Sequence, residues 1–155
     1  MKKELFLQIA RKLNEKLGVT PLLFGSLGLE QRLGENLNAD DIDVLIPEEY
    51  LDEKWDMLIE VMEGLGYSLY DIHEHAFEKD GVSVAFASIE NLVPFANVDI
   101  TLIPVIDEDN VRYCLLALED YMKVYTASSK DGYRRDTKNK NDMEKIELIR
   151  RALKK

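Results

Sequence analysis

The sequence of 155 residues predicts a single α+β domain, in which a mixed β-sheet has helices covering one face. Three observations predict this class. Segments with helical periodicity alternate with short apolar runs that are typical of strands. Between residues 67 and 86 the apolar period changes to two, which indicates paired strands. No linker or internal repeat divides the chain, and a chain of this length can bury roughly 70% of its unfolded surface without disulfides or a structural metal.

The first third of the chain predicts one helix and two strands. The first helix is predicted over residues 2–17, where apolar residues recur at helical spacing and a glycine follows. The apolar run Val19–Phe24 fits a strand, and Asp41–Ile46 fits a second strand. Residues 27–40 hold at most two helical turns, because a glycine and an asparagine-rich stretch interrupt the pattern.

The rest of the chain predicts a covering helix, a strand-rich middle and a helical end. An Asp-Gly pair at residues 80–81 is a hairpin signal between two alternating runs. The predicted elements are a helix over Glu48–Glu63, strands at Tyr67–Ile72, His75–Lys79, Val82–Phe86 and Asn97–Val105, and helices at Val111–Tyr125 and Lys138–Leu153, separated by a polar loop at Thr126–Thr137. Residues 107–155 therefore form a predicted helical C-terminal extension of the domain.

Charge is unevenly distributed along the chain. The net charge is −10, which argues against a general nucleic-acid binder. From Lys123 onward the balance is +6, whereas residues 1–122 carry −16. Either the basic helix simply packs toward the acidic body, or the basic residues serve a site.

The composition also predicts where the protein resides. No apolar run approaches the ~20 residues that a membrane helix needs. The N-terminal apolar stretch is broken by Glu4 and Gln8, which indicates a helix and not a signal peptide. Cys114 is the only cysteine, so no disulfide can form within the chain. We therefore expect a cytoplasmic protein with no membrane contact.

Asp41 and Asp43 are the first candidate site residues. Successive strand side chains point to opposite faces, so these two carboxylates share one face of the second predicted strand. Such a pair of like charges is unfavourable unless water or a cation compensates it. Mg²⁺ binds one or two carboxylates together with substrate phosphates. The alternative is a solvated strand end.

Asp99 is the third candidate, because it interrupts the apolar Asn97–Val105 run. If that strand lies beside the Asp41–Ile46 strand, three carboxylates converge and can hold two metal ions roughly 3.5–4 Å apart. The alternative for Asp99 is a strand-end residue bonded to nearby backbone.

Gly25 and Ser26 complete the predicted constellation. They follow an apolar strand and precede a short helical turn. Glycine lets the backbone approach a ligand closely, and amides at a helix N-terminus can hold a phosphate.

These motifs, Phe24-Gly25-Ser26, Asp41-Ile42-Asp43 and Asp99, resemble those of the DNA polymerase β-like nucleotidyltransferase superfamily, which includes small bacterial minimal and aminoglycoside-type nucleotidyltransferases. The resemblance covers about residues 19–106, which it implies to be the catalytic core. It implies that Gly25 and Ser26 hold the triphosphate of an NTP such as ATP. It also implies that Asp41, Asp43 and Asp99 bind Mg²⁺ or Mn²⁺, with Asp99 helping to activate the acceptor hydroxyl.

Three features depart from the resemblance or extend it. The connection between Ser26 and Asp41 is slightly longer than usual for the family. Asp40 is expected to face away from the site if its strand is regular. The run Lys138-Asn139-Lys140-Asn141-Asp142 resembles a Lys-Asp element of some relatives, and basic residues near it could reach the triphosphate or acceptor: Arg134, Arg135, Lys138 and Lys140.

The predicted activity is metal-dependent transfer of a nucleoside monophosphate from an NTP to a hydroxyl acceptor, which is a small molecule, protein or RNA. Two alternatives stay open. The same fold could serve as the antidote of a toxin pair or as a catalytically silent nucleotide-binding regulator, with a partner protein. An acidic scaffold without an active site would place Asp99 far from Asp41 and Asp43.

Overall fold

The computed structural model describes residues 2–130 and 139–155, and only the backbone of residues 139–141. Over these residues the chain forms six α-helices and seven strands. The helices are α1 (Lys2–Leu17), α2 (Gly25–Leu33), α3 (Trp55–Gly64), α4 (Leu92–Ala96), α5 (Leu118–Lys130) and α6 (Asn139–Leu153). The strands are β1 (Leu22–Phe24), β2 (Ile42–Ile46), β3 (Ser68–Asp71), β4 (Ala76–Lys79), β5 (Val82–Ser88), β6 (Val105–Glu108) and β7 (Val111–Cys114).

The strands form one mixed sheet, as predicted, in the order β3-β4-β5-β2-β1-β7-β6. β2 lies at its centre, antiparallel to β1 and parallel to β5. Phe24 of β1 pairs with Asp43 of β2, and Asp43 pairs with Ala85 of β5. This register brings the Gly25-Ser26 turn next to Asp43.

Helices cover both faces of the sheet, whereas the sequence predicted one covered face. The core falls into two clusters because strand side chains alternate between faces. Leu23 and Val44 join α1 and α3 in the first cluster, and Leu22 and Leu45 join α4, α5 and α6 in the second. The apolar faces of α5 and α6 thus need the second face of the sheet for burial.

The predicted strand at Asn97–Val105 is wrong. Asn97 ends α4 in the left-handed conformation, with φ 55°. Asp99 then caps a short 3₁₀ helix, Ile100–Leu102, and β6 begins only at Val105. The asparagine and the aspartate favour caps and turns, and this local chemistry outweighs the apolar alternation of the segment.

The predicted helix at Val111–Tyr125 is wrong in its first part, so residues 107–155 are not a purely helical extension. Asp109 and Asn110 both have positive φ, 55° and 65°, and join β6 to β7 in a tight hairpin. β7 then pairs in parallel with β1, which extends the sheet beyond residue 106. The helix α5 begins at Leu118 and continues to Lys130, into the segment predicted as a loop.

Among the described residues, no helix is long and apolar enough to cross a membrane.

Candidate functional site

A cleft of about 700 Å³ opens where β1 and β2 lie side by side. Four of the five predicted site residues line it: Gly25, Ser26, Asp41 and Asp43. Further surface comes from the segment before β2, from the turn between β3 and β4, and from β5, α4, α5 and α6. The structure therefore brings together the glycine-serine turn and the aspartate pair, as the sequence predicted.

Asp43 packs directly against the backbone of Gly25. Gly25 has φ 61°, a conformation that favours glycine. A Cβ at this position would overlap the Oδ2 atom of Asp43 and would lie 3.1 Å from its Cβ and Cγ. The glycine is thus needed both for its backbone conformation and for the close approach of the carboxylate.

Ser26 lies in the first turn of α2, which begins at Gly25. Phe24 precedes the helix and provides no side-chain cap, and the first turn contains no acidic residue. The N-terminus of a helix carries partial positive charge and amide donors, so it favours an anionic group such as a phosphate. The first turn of α2 therefore places an anion-binding element beside a carboxylate that favours a cation.

The position of α2 is fixed by buried contacts on its far side. The Oη atom of Tyr121 donates to the carbonyl oxygen of Leu23 at 3.1 Å, and a Cβ at Gly28 would overlap both groups. The Arg32 guanidinium donates to the carbonyl oxygens of Leu115 and Leu116 at 2.9 and 2.8 Å. These contacts hold the helix that carries Ser26 against α5 and the segment after β7.

Asp40 lines the cleft together with Asp41, contrary to the expectation that it faces away. The reason is that β2 begins only at Ile42, so the alternation of a regular strand does not apply to residues 40 and 41. Both carboxylates are exposed.

Asp99 does not line the cleft, and its predicted grouping with Asp41 and Asp43 is corrected by the structure. Its Oδ1 atom accepts hydrogen bonds from the Thr101 amide at 3.0 Å and from the Thr101 Oγ1 at 2.6 Å. The hydrogen bond from the Thr101 hydroxyl is the main cause of a lowered pKa of Asp99, and the bond from the Thr101 amide adds to it. The residue is a cap on the 3₁₀ helix, bonded to nearby backbone, which was the alternative from the sequence.

On the side away from β1, the neighbour of β2 is β5, which contains no acidic residue that could join Asp41 and Asp43. Ala85 occupies the position paired with Asp43. Within the described residues, no group of three or more His, Cys, Asp or Glu side chains could hold a metal ion. Asp41 and Asp43 are two carboxylates, and Mg²⁺ is commonly held by one or two carboxylates together with water and substrate phosphates.

The opposite wall of the cleft comes from the two C-terminal helices. It includes Tyr125 and Ser128 of α5 and Glu144, Lys145 and Leu148 of α6. The Lys145 Nζ lies 5.4 Å from the centre of the Tyr125 ring. Sequence reasoning did not single out these residues, and the only signal for them was the excess of basic residues after Lys123.

Asp142 is buried and joins the two C-terminal helices. The Ser128 Oγ donates to its Oδ2 at 2.9 Å. Among the basic residues that the sequence placed near the triphosphate, Arg134, Arg135 and Lys138 lie outside the described residues, as does the side chain of Lys140.

Glu74 lines the cleft beyond β5 and is not among the residues predicted from the sequence. It lies in the turn between β3 and β4. No local motif marks it, because its place in the cleft follows from the pairing of β4 with β5.

Three comparisons place the chain among known proteins. The uncharacterized protein YnaI of Bacillus subtilis (strain 168) is 43% identical over 148 residues, 96% of this chain and 95% of that protein. The crystal structure of ANT(2″)-Ia in complex with adenylyl-2″-tobramycin matches with a TM-score of 0.60 and 13% identity, over 99% of this chain and 90% of that one. An antigenic nucleotidyltransferase-like protein from Paracoccidioides brasiliensis matches with a TM-score of 0.63 and 14% identity, over 95% and 74%.

No family model matches the sequence. At these identities the two structures show the fold, and it is the nucleotidyltransferase-like fold that the sequence motifs predicted.

Proposed function

We propose that this chain, which belongs to the same family as YnaI of Bacillus subtilis and has a nucleotidyltransferase-like fold, is a nucleotidyltransferase. It transfers a nucleoside monophosphate from an NTP to a hydroxyl acceptor. The observation that carries the proposal is the contact of Asp43 with Gly25, since it joins a cation-binding carboxylate to a phosphate-binding helix N-terminus in one cleft. An NTP with its Mg²⁺ ion has this combination of charges.

The first turn of α2 holds the triphosphate in this proposal. The amides that follow Gly25 and the hydroxyl of Ser26 donate to phosphate oxygens. Lys145 enters the cleft from the opposite wall and offsets the remaining negative charge of the phosphates. Tyr125, next to Lys145, offers an aromatic surface near the bound nucleotide.

Asp41 and Asp43 would hold the Mg²⁺ ion that accompanies the triphosphate. When bound, the ion stabilises the negative charge that develops on the transferred phosphoryl group and on pyrophosphate. The residues themselves orient the α-phosphoryl group, because it lies between the aspartate pair and the first turn of α2. The acceptor hydroxyl then attacks in line with the departing pyrophosphate.

ATP is the first nucleotide to test, since the neighbouring structure contains an adenylyl product. Isothermal titration calorimetry should show ATP binding with Mg²⁺ and little binding with EDTA, because the crowded carboxylates repel an uncompensated triphosphate. Equal affinity under both conditions would contradict the metal-dependent site.

Transfer is tested with α-labelled NTP, Mg²⁺ and a cell extract as the source of acceptors. The Asp43→Asn variant should transfer about a hundredfold less label, because an amide is a poor ligand for Mg²⁺ and charge stabilisation contributes several kcal/mol. The Asp99→Asn variant is the matched control and should stay within about twofold of the parent protein, since Asp99 lies outside the cleft. Transfer that survives Asp43→Asn but not Asp99→Asn would refute the site.

The second candidate is a catalytically silent nucleotide-binding module, and Ala85 is the observation that favours it. This alanine occupies the strand position beside Asp43, where a third carboxylate would complete a two-metal site. A silent module would bind Mg·ATP with the same dependence on Asp43 and transfer no label. The two assays above therefore separate the candidates.

A further inference from the structure

We infer that Glu74 accepts the proton of the acceptor hydroxyl, an assignment that rests on the proposed transferase function. Asp99 cannot take this role because it does not line the cleft. Besides Asp41 and Asp43, the described carboxylates that line it are Asp40, which directly precedes the pair in the chain, Glu74 and Glu144. The position of Glu74 across the sheet from the phosphate-binding turn distinguishes it.

The order of elements across the sheet gives the cleft a direction. The Gly25-Ser26 turn follows β1, Asp43 is on β2, Ala85 is on the next strand β5, and Glu74 precedes β4, the strand after that. Glu74 and Ser26 thus lie on opposite sides of the aspartate pair. A phosphoryl group held at Asp43 has the turn on one side and Glu74 on the other.

In an in-line displacement, the leaving group and the attacking oxygen take opposite sides of the phosphoryl group. Pyrophosphate leaves toward the first turn of α2, where the β- and γ-phosphates are held. The attacking oxygen must approach from the opposite side of the α-phosphorus, since attacking and leaving oxygens lie roughly in line. That side is the one bounded by β5 and Glu74.

Small side chains keep this side of the cleft open. Ala85 and Ala87 of β5 line it, and Ala85 pairs with Asp43 on one side and with Ala76 on the other. The row from Asp43 to Ala76 is about 10 Å long, because neighbouring strands lie about 4.8 Å apart. This distance has room for a hydroxyl between the phosphorus and a carboxylate that enters from beyond Ala76.

The backbone at Glu74 is held in place by the turn around it. The Asp71 Oδ1 accepts hydrogen bonds from the amides of His73 at 3.0 Å and Glu74 at 3.2 Å. The carbonyl oxygen of His75 accepts from the Phe86 amide of β5 at 3.2 Å. The His75 ring packs edge-on against Trp55, with 4.9 Å between ring centres. A residue in a turn fixed on both sides can present its carboxylate at a defined position.

In the proposed step one phosphorus–oxygen bond forms, another breaks and one proton moves. The acceptor oxygen forms a bond to the α-phosphorus while the bond from that phosphorus to the bridging oxygen of pyrophosphate breaks. The hydroxyl proton moves to a carboxylate oxygen of Glu74, and pyrophosphate leaves with the electron pair of the broken bond. No oxidant or further reactant takes part.

The test measures transfer from α-labelled ATP with Mg²⁺ to two simple alcohols, ethanol and the more acidic 2,2,2-trifluoroethanol, at equal dilute concentrations. In Glu74→Gln, transfer to ethanol should fall by about a hundredfold or more, the usual contribution of a positioned base. The loss should be smaller with trifluoroethanol, because its hydroxyl needs less help to lose its proton. Calorimetric affinity for Mg·ATP should stay within about twofold, since Glu74 lies away from the phosphates.

Two matched variants accompany it. Glu78→Gln changes an exposed glutamate of β4 that does not line the cleft, and it should retain transfer. Glu144→Gln changes the glutamate on the opposite wall. Any loss of transfer in this variant should be the same for ethanol and trifluoroethanol. Equal transfer by Glu74→Gln and the parent protein would overturn the Glu74 assignment but not the transferase function. The same would follow if Glu144→Gln, and not Glu74→Gln, lost more transfer to ethanol than to trifluoroethanol. A parent protein that binds Mg·ATP and labels neither these alcohols nor any acceptor of a cell extract would overturn the transferase function and this assignment with it. If only an acceptor of the extract is labelled, Glu74→Gln should lose that labelling by the same factor, and undiminished labelling would overturn the assignment alone.

Discussion

Asp43 and Gly25 determine each other's position in the cleft. The carboxylate occupies the space that a side chain at residue 25 would need, and the left-handed backbone of Gly25 turns the chain from β1 into α2. A substitution at either residue therefore acts on the other. This makes the glycine a site residue through geometry, although it has no functional group.

The Gly25→Ala variant should lose Mg·ATP binding, because the new methyl group displaces the Asp43 carboxylate. Gly18→Ala is the matched control: Gly18 has φ 64°, and a Cβ there would meet no atom within 4 Å. Both variants should lose roughly 1–2 kcal/mol of stability from the left-handed backbone. Calorimetry and thermal unfolding of both separate the two effects. Equal ATP affinity of the two variants would show that the methyl group does not disturb the site.

Asp99 provides a pH-dependent prediction at a single residue. Its pKa is lowered, chiefly by the Thr101 hydroxyl. A carboxyl group with a lowered folded-state pKa stabilises the fold above its unfolded-state pKa, and this contribution disappears as the pH falls through the folded-state value.

Thr101→Val removes the donating hydroxyl, so the pKa of Asp99 should rise toward its ordinary value. NMR titration of the Asp99 carboxyl carbon measures this directly. An unchanged pKa in the variant would mean that the hydroxyl is not the main cause. Transfer activity should be unaffected, because the residue lies outside the cleft.

At the scale of elements, α5 and α6 act as one wall. They form an adjacent helix pair, and the bond between Ser128 and Asp142 lies in its interior. A buried carboxylate is costly unless it keeps its hydrogen bonds. The bond therefore couples the placement of Lys145, one turn after Asp142, to the placement of α5.

Ser128→Ala should destabilise the protein by roughly 1–3 kcal/mol, because the buried Asp142 carboxylate loses the hydrogen bond from the Ser128 hydroxyl. Ser129→Ala is the control, since the Ser129 Oγ donates to the Thr126 carbonyl of its own helix, at 2.8 Å, a local bond that does not join α5 to α6. Denaturant unfolding measures both. A Ser128→Ala variant no less stable than Ser129→Ala would show that the buried bond contributes little.

Elements with long, regular patterns could be predicted from the sequence. The first helix and the strand at residues 41–46 are found at nearly the predicted positions because several apolar residues repeat in each. The predictions for Asn97–Val105 and for Val111–Cys114 were wrong for a common reason. Their apolar runs are short, and turns at Asn97 and at Asp109-Asn110 decide their conformation.

The site divides along the same physical lines. The turn at Gly25-Ser26 directly follows β1, and Asp41 and Asp43 lie at the start of the neighbouring strand β2, so their pattern is local and could be predicted. Glu74, Tyr125 and Lys145 enter the cleft only through long-range packing. Asp99 was predicted beside Asp41 and Asp43 because its segment was predicted as a strand next to β2. The strands that flank β2 in the structure are β1 and β5.

For the whole molecule, the acidic body and the basic end meet across the cleft. Aspartates line one side, and Lys145 lies on the other. A ligand with both a cation and phosphates should therefore bind more tightly to the folded protein than either component alone. Binding to the folded state alone raises the temperature of unfolding.

Mg·ATP should accordingly stabilise the protein against thermal unfolding, by about 2.7 kcal/mol at a concentration 100 times its Kd. ATP with EDTA, or Mg²⁺ alone, should have little effect. The Asp43→Asn variant should lose most of the stabilisation. Differential scanning fluorimetry across a concentration series measures the shift, and stabilisation by ATP with EDTA equal to that with Mg²⁺ would exclude the proposed role of the aspartate pair.

The position of α6 in the sequence has a consequence for how the protein is made. The turn at Gly25-Ser26 and the aspartate pair leave the ribosome roughly a hundred residues before Lys145 and Leu148 of the same cleft. A nascent chain can thus carry the aspartate side of the cleft long before its opposite wall exists. We expect translating ribosomes stalled before residue 139 to display chains that cannot retain Mg·ATP, so competence for the nucleotide arises only after α6 has been synthesised and has packed against α5.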